Sequence, residues 1–391
     1  MTSEPAVSPR LTVVLPLKGR SLFTLRLLAH ADAMRMPYRF LIADGQVNEP
    51  VARHLENSAE TFPHLDVEYV RYSHDASYRD YFLKVADALA RVRTPYAMLA
   101  DNDDFLGPNG IAQAIDFLDA NPDYVGARGQ VATFSVYSGL GNPSGGVHGK
   151  LDRLSLGYEC NDLSQPLAFE RLRQGGQSHL IFYAVHRTDV LATVWREAAE
   201  IDFSDLMLHE IYHAMRPLTL GKVRADRAAI TYFAQIGTST SSNPMLDWAG
   251  HLLRSRLTGN IHDMVARIVG AATVGETDAT AVDEQTRALV EDYFRDFLWS
   301  NYGLVARIKR LFRSISPAAV KYWQSRPRFS IGRDVADISK TLAAEGAPSR
   351  DLDRMRVEIS AIQRVLSPET FAGFAGPFLA MARAGSGREW I

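Results

Sequence analysis

The sequence predicts an α/β fold of the Rossmann-like kind: a mostly parallel sheet flanked by helices, followed by a helical C-terminal region. Three observations carry this. Short β-rich apolar runs alternate with segments of helical period through residue 125; acidic and glycine residues fall where those runs stop; and from residue 245 onward the apolar period is almost entirely helical.

Residues 11–16, Leu-Thr-Val-Val-Leu-Pro, form an apolar run closed by proline, the pattern of a strand buried on both faces. A helix follows, with Leu22, Leu25, Leu28 and Ala29 at helical spacing. Residues 38–43 make a second buried strand that stops at Asp44-Gly45, completing one βαβ unit. Residues 67–72 are the third strand, residues 78–92 a helix whose Tyr78, Phe82, Val85, Leu89 and Val92 share a face, and residues 96–100 the fourth strand. From 126 to 176 the pattern weakens, and the glycine-rich stretch 139–146 reads as a mobile loop. A helix over 205–215 and a strand over 228–233 complete a domain spanning residues 1–244, with the boundary near Pro244. Residues 245–391 form the helical region, and 275–281 is its best internal linker.

The chain has 391 residues, room for one catalytic domain and an appendage. Its net charge of -2 argues against nucleic acid as a partner. A lone Cys160 excludes an internal disulfide framework and a cysteine zinc cluster, and fits a cytoplasmic protein. No stretch approaches the roughly 20 apolar residues that span a bilayer. Residues 293–314 place Phe294, Phe297, Leu298, Leu304 and Ile308 among Arg307, Lys309, Arg310 and Arg313. This amphipathic basic helix suits packing on the catalytic domain or on a second subunit in a homo-oligomer, with peripheral contact at the inner face of the membrane as the alternative.

Ligands of a parallel sheet bind outside the carboxyl ends of its strands, where Asp44-Gly45 and Asp101-Asn102-Asp103-Asp104 both fall. Three carboxylates in four residues repel one another unless a positive charge neutralises them. Mg²⁺ or Mn²⁺ does so with oxygen ligands, typically one or two carboxylates beside substrate phosphates and water, which Asp-x-Asp at a strand end can offer. A turn or helix cap is the competing account of the same residues.

Three ordered segments resemble the family 2 glycosyltransferases, which have the GT-A fold. They are Pro16-Leu17-Lys18-Gly19-Arg20 after the first strand, Asp44-Gly45 after the second, and Asp101-Asn102-Asp103-Asp104 with Pro108 after the fourth. The likeness covers residues 11–125 well and 200–242 loosely. Two departures are Ala43, where the family often has a second acid before the turn glycine, and Lys18-Gly19-Arg20 in place of tyrosine-asparagine-arginine.

The resemblance implies a metal-dependent, inverting transfer of a sugar from a nucleoside-diphosphate donor to a hydroxyl of a glycan or lipid-linked glycan, in bacterial surface polysaccharide synthesis. It places Pro16, Lys18, Arg20, Asp44, Lys84, Asp101 and Asn102 around the donor nucleotide. Asp103, with Asp101 and Asp104, would hold Mn²⁺ or Mg²⁺. The family's general base sits on a later helix, where Asp205 and Glu210 are the candidates. Gln235 begins a Ser/Thr-rich segment where relatives carry a loop over the diphosphate, sometimes with a histidine ligand; here Gln235 or water would complete the metal's shell, and an ordinary serine-rich linker is the competing account. Two rival readings stand beside this one: a zinc-dependent hydrolase built on His209-Glu210-x-x-His213, and a non-catalytic nucleotide-sugar or glycan-binding module.

Overall fold

The computed structural model describes residues 9–46, 49–138, 146–157, 161–175, 179–204, 206–236, 255–274, 278–302 and 330–384. Four parallel strands form its first half: β1 (Leu11–Leu17), β2 (Arg39–Asp44), β3 (Asp66–Arg71) and β4 (Tyr96–Leu99), in the order β3-β2-β1-β4. The chain moves outward from β1 to β3, then returns to the other side of β1. That reversal opens a crevice at the carboxyl ends of β1 and β4.

Beyond β4 the sheet becomes mixed. The strands β5 (Phe105–Leu106), β6 (Tyr124–Tyr137), β7 (Lys150–Leu156), β8 (Val185–Arg187) and β9 (Lys222–Gln235) extend the order as β4-β8-β6-β9-β5, with β7 on β6. Here β6 and β9 run parallel, whereas β8 is antiparallel to both β4 and β6. The 14-residue β6 occupies a stretch where apolar patterning is weak, because Gly126, Gly129 and several register shifts interrupt it. The expected α/β class, flanking helices and C-terminal helices are all present.

Alternation along β1 assigns the two faces. Leu11, Val13, Leu15 and Leu17 enter one core with helices α1 (Ser21–Ala33) and α5 (Pro108–Ala120). Val14 enters the opposite core with α4 (Tyr78–Arg91), α7 (Thr188–Ile201) and α8 (Leu206–Leu220). The short helices α2 (Glu49–Glu56), α3 (Ser58–Thr61) and α6 (Ala168–Gly175) fill the edges. Gly110, in the first turn of α5, has no room for a side chain: a Cβ there would lie 2.1 Å from the Ile230 carbonyl oxygen of β9.

The C-terminal helices divide between the faces. α9 (Ser255–Ala272) and α10 (Ala279–Tyr302) bring Met264, Ile268, Val290 and Tyr293 to the α4–α7–α8 core. α11 (Ile331–Ala344) and α12 (Ser349–Leu366) pack Ile338, Leu342, Ile359 and Ile362 on Phe105, Phe134 and Phe233 of the sheet. α13 (Pro368–Ala384) places Phe371 and Ala375 in the α1 core. The boundary expected near Pro244 lies outside the described residues, as do the 139–145 part of the glycine-rich stretch and the basic segment beyond Tyr302. Among the described residues no helix is long and apolar enough to cross a membrane.

Candidate active site

Asp101, Asp103 and Asp104 leave β4 into the crevice, and one oxygen of each lies within 4.8 Å of the others. Asp103 and Asp104 are buried and Asp101 is half-buried. Burial first, then the neighbouring Asp103, raises the Asp101 carboxyl to about 6. The same two causes, with Asp101 added, push Asp104 well above the usual carboxylate range. Three acids crowded in this way are electrostatically frustrated, and hard oxygen donors so placed match the chemistry of a divalent ion.

Each carboxylate also has a protein partner that fixes one side of it. Arg20 Nη2 donates to Asp103 Oδ2 at 2.9 Å. The Tyr183 hydroxyl donates to Asp101 Oδ2 at 2.7 Å, and the Gln235 backbone N–H to Asp104 Oδ1 at 2.7 Å. Tyr232 accepts from the Asp101 N–H at 2.9 Å, hydrogen-bonds Asp104, and stacks on Tyr183 with ring centroids 4.2 Å apart.

The turn between β1 and α1 explains how Arg20 reaches this cluster. Gly19 at φ 69° and Arg20 at φ 57° follow one another in the left-handed region, reversing the chain over the strand end. Arg20 carries a steric cost of about 1–2 kcal/mol for this. Asn102 Nδ2 holds the turn by donating to the Arg20 carbonyl at 3.2 Å and to Thr24 Oγ1 at 3.2 Å.

The remaining sequence-derived positions sit to one side. Pro16 is half-buried within β1, level with Ala43 of β2. Asp44 is buried and already used: Oδ1 accepts from the Gln46 N–H at 2.9 Å and Oδ2 from the Tyr69 hydroxyl at 2.5 Å. Lys18 is exposed, with Nζ on the Asp75 carbonyl at 2.6 Å. Lys84 is not at the open mouth. Its ammonium is 2 % exposed, pairs with the Asp75 carboxylate and donates to the Leu17 carbonyl at 2.7 Å. Desolvation lowers its pKa, against the pull of Asp75. Gly45 closes this corner, since a Cβ there would sit 2.3 Å from the Asp75 carboxylate.

Asp205 lies outside the described residues. Glu210 is half-buried on α8, and its charge, together with that of Asp101, raises the Tyr81 and Tyr183 hydroxyl pKa values, for which burial is the largest cause. Glu210 and Asp101 therefore act electrostatically on the same two tyrosines.

The histidines beside it do not form a zinc centre. His209 and His213 are fully buried, and no ring nitrogen of either has a hydrogen-bond partner. The His209 ring packs 4.4 Å from Trp195 and 4.7 Å from Phe82, and His213 lies 4.8 Å from Phe182. Burial lowers His209 to about 3 and His213 well below the usual imidazole range. Among the described residues the only convergent metal-binding set is the aspartate trio, so the His-Glu-x-x-His match is a core-packing feature and the hydrolase reading is set aside. Gln235 likewise is no metal ligand here, because its side chain is bonded to Arg26 and Gly146.

Sequence reasoning missed Arg26, Tyr183 and Tyr232. Arg26 gave one signal, an arginine four residues after Leu22 on the apolar face of α1. A cavity of about 470 Å³ lies elsewhere, between the β6–β7 hairpin and α11–α13, and is not lined by the carboxylates.

No family model and no curated protein matches the chain. Among solved structures it is similar to residues 1–349 of TarS from S. aureus, at 11% identity and a TM-score of 0.45, covering 94% of this chain and 92% of that chain. The same fragment in complex with UDP-GlcNAc is similar at 12% identity, TM-score 0.45, over 94% and 92%. The mannosyltransferase PcManGT from Pyrobaculum calidifontis, in complex with GDP-Man and Mn2+, is similar at 13% identity and a TM-score of 0.36, over 88% of each chain.

Proposed function

We propose that this chain is a GT-A-like glycosyltransferase of the Asp-x-Asp type, moving a sugar from a nucleoside-diphosphate donor to a hydroxyl of a growing surface glycan, free or lipid-linked. The convergence of three carboxylates at the reversal point of a parallel sheet carries this reading. Asp103, Asp101 and Asp104 would hold Mn²⁺ or Mg²⁺. Such an ion supplies charge neutralisation to the leaving diphosphate.

The protein's own groups do the rest. Arg20, Lys18 and the Pro16 turn border the nucleotide, Asp44 and Asn102 shape its pocket, and Lys84 acts by fixing the Asp75 corner. Glu210, with Asp205 as the other candidate, takes the acceptor hydroxyl's proton. The acceptor oxygen then bonds to the anomeric carbon as the bond to the diphosphate breaks, and the configuration inverts.

A thermal-shift series with UDP and GDP, with and without Mn²⁺, tests the reading on the parent and on Asp103→Ala. At ligand concentrations about 100 times Kd, binding stabilises the parent by about 2.7 kcal/mol. The metal-dependent part of the shift is lost in the variant. Turnover of UDP-GlcNAc or GDP-Man then separates an enzyme from a binding module; an Mn²⁺-independent response in both proteins sinks the metal assignment.

A further inference from the structure

Arg26 is fully buried in the middle of α1, between Leu25 and Leu27 in sequence and on one face with Leu22, Phe23 and His30. Taking a guanidinium out of water costs several kcal/mol, and a well-packed apolar residue is often at least as stable in such a place. What the arginine adds is a fork. Nη2 donates to the Asp103 carbonyl, while Nη1 donates to Gln235 Oε1 at 2.7 Å and to the Val147 carbonyl at 3.0 Å. Phe23 and Phe105 enclose the group, at 4.8 and 4.7 Å from ring centre to Cζ.

Two of these bonds lead to the acidic set, one directly and one through Gln235. The Asp103 peptide is held by Arg26 while its carboxylate is held by Arg20. Asp104 is held one step further on, because the residue whose side chain Arg26 grips, Gln235, gives its backbone N–H to Asp104 Oδ1. Gln235 also donates from Nε2 to the Gly146 carbonyl at 3.0 Å, next to the Val147 carbonyl that Arg26 binds. Four chain segments, α1, the acidic loop, the end of β9 and residues 146–147, thus meet on one side chain.

We propose that Arg26 is the positioning residue of the acidic site, its guanidinium locking the Asp103 peptide and the Gln235–Asp104 bond into one unit so that the carboxylates converge before any ligand arrives. This rests on the metal-dependent reading above. Lysine cannot replace it, because a single ammonium lacks the planar fork that reaches acceptors on separate segments.

Manganese binding, read from the electron paramagnetic resonance signal of free Mn²⁺ with UDP or GDP present, tests the role in the full chain. Arg26→Met is expected to weaken Mn²⁺ binding by about 10- to 100-fold while keeping its circular dichroism and cooperative melting, and Arg26→Lys to recover only part of the loss. A role confined to stability would move the melting temperature and leave the folded protein's Mn²⁺ affinity alone. Folded Arg26→Met that binds within about twofold of the parent overturns the proposal. If Arg26→Met does not fold, Gln235→Leu decides: weakening by about tenfold supports the linkage, and unchanged affinity overturns it. A parent protein that takes up no Mn²⁺ with either nucleotide defeats the functional reading itself, and this proposal with it.

Discussion

At the scale of single residues, the proposed base Glu210 offers a way to test chemistry apart from binding. Its charge acts on Tyr81 and Tyr183, as that of Asp101 does, and it is not one of the aspartate set. Glu210→Gln keeps the shape and removes the base. Transfer turnover is expected to fall by about 10²- to 10⁴-fold with nucleotide affinity unchanged, measured by steady-state kinetics beside direct titration of UDP or GDP. Undiminished turnover assigns the proton transfer to Asp205. The acids of this site were legible because carboxylates at a strand end are a local signal. Arg26 and Tyr183 were not, since their partners are remote: Arg26 meets Gln235 across 209 positions and Tyr183 meets Asp101 across 82. Spacing along the chain carries no trace of such pairs.

Among the elements, the junction of β1, β2 and α4 is held by a buried charge pair. Lys84 of α4 ties the Leu17 carbonyl at the end of β1 to Asp75 in the β3–α4 connection, and Gly45 lets the Asp75 carboxylate lie flush against the β2 turn. Lys84→Met strands Asp75 in the core and is expected to cost about 3–5 kcal/mol in urea unfolding, whereas Lys84→Met with Asp75→Leu recovers most of it. A single variant as stable as the parent would show the pair to be dispensable. The βαβ order, α4 and the second half of β9 were readable from period and turn residues, whereas β9 begins earlier, at Lys222. The length of β6 and the antiparallel β8 were not, because glycines and register shifts break the alternation that marks a strand. His209 and His213, four residues apart, share one helix face, but that face turns into an aromatic core, which spacing alone cannot distinguish from a metal site.

Over the whole molecule, the C-terminal region packs as part of the α/β fold. Glu358 of α12 accepts from the Asn109 N–H at 2.8 Å at the start of α5, and Arg354 donates to Asn109 Oδ1 at 2.9 Å. Burial raises the Glu358 carboxyl from 4.5 to about 7, outweighing the Asn109 bond and the Arg354 charge. The folded state therefore binds this proton more tightly than the unfolded chain. Its contribution to stability is full below about pH 4.5 and is lost as pH rises through about 7. Glu358→Gln removes that slope, so the gap between variant and parent in urea midpoint should widen from pH 5 to pH 8. Profiles that stay parallel count against it. The helical character of this region was plain from its period; its division between the two faces was not, because both groups of helices present similar apolar stripes.

That division has a consequence during synthesis. Phe105, Phe134 and Phe233 belong to strands complete by Gln235, but the helices that cover them, α11 and α12, follow only from Ile331. A ribosome-bound chain ending before residue 330 presents this aromatic surface to the surrounding water, open to chaperones and to neighbouring nascent chains.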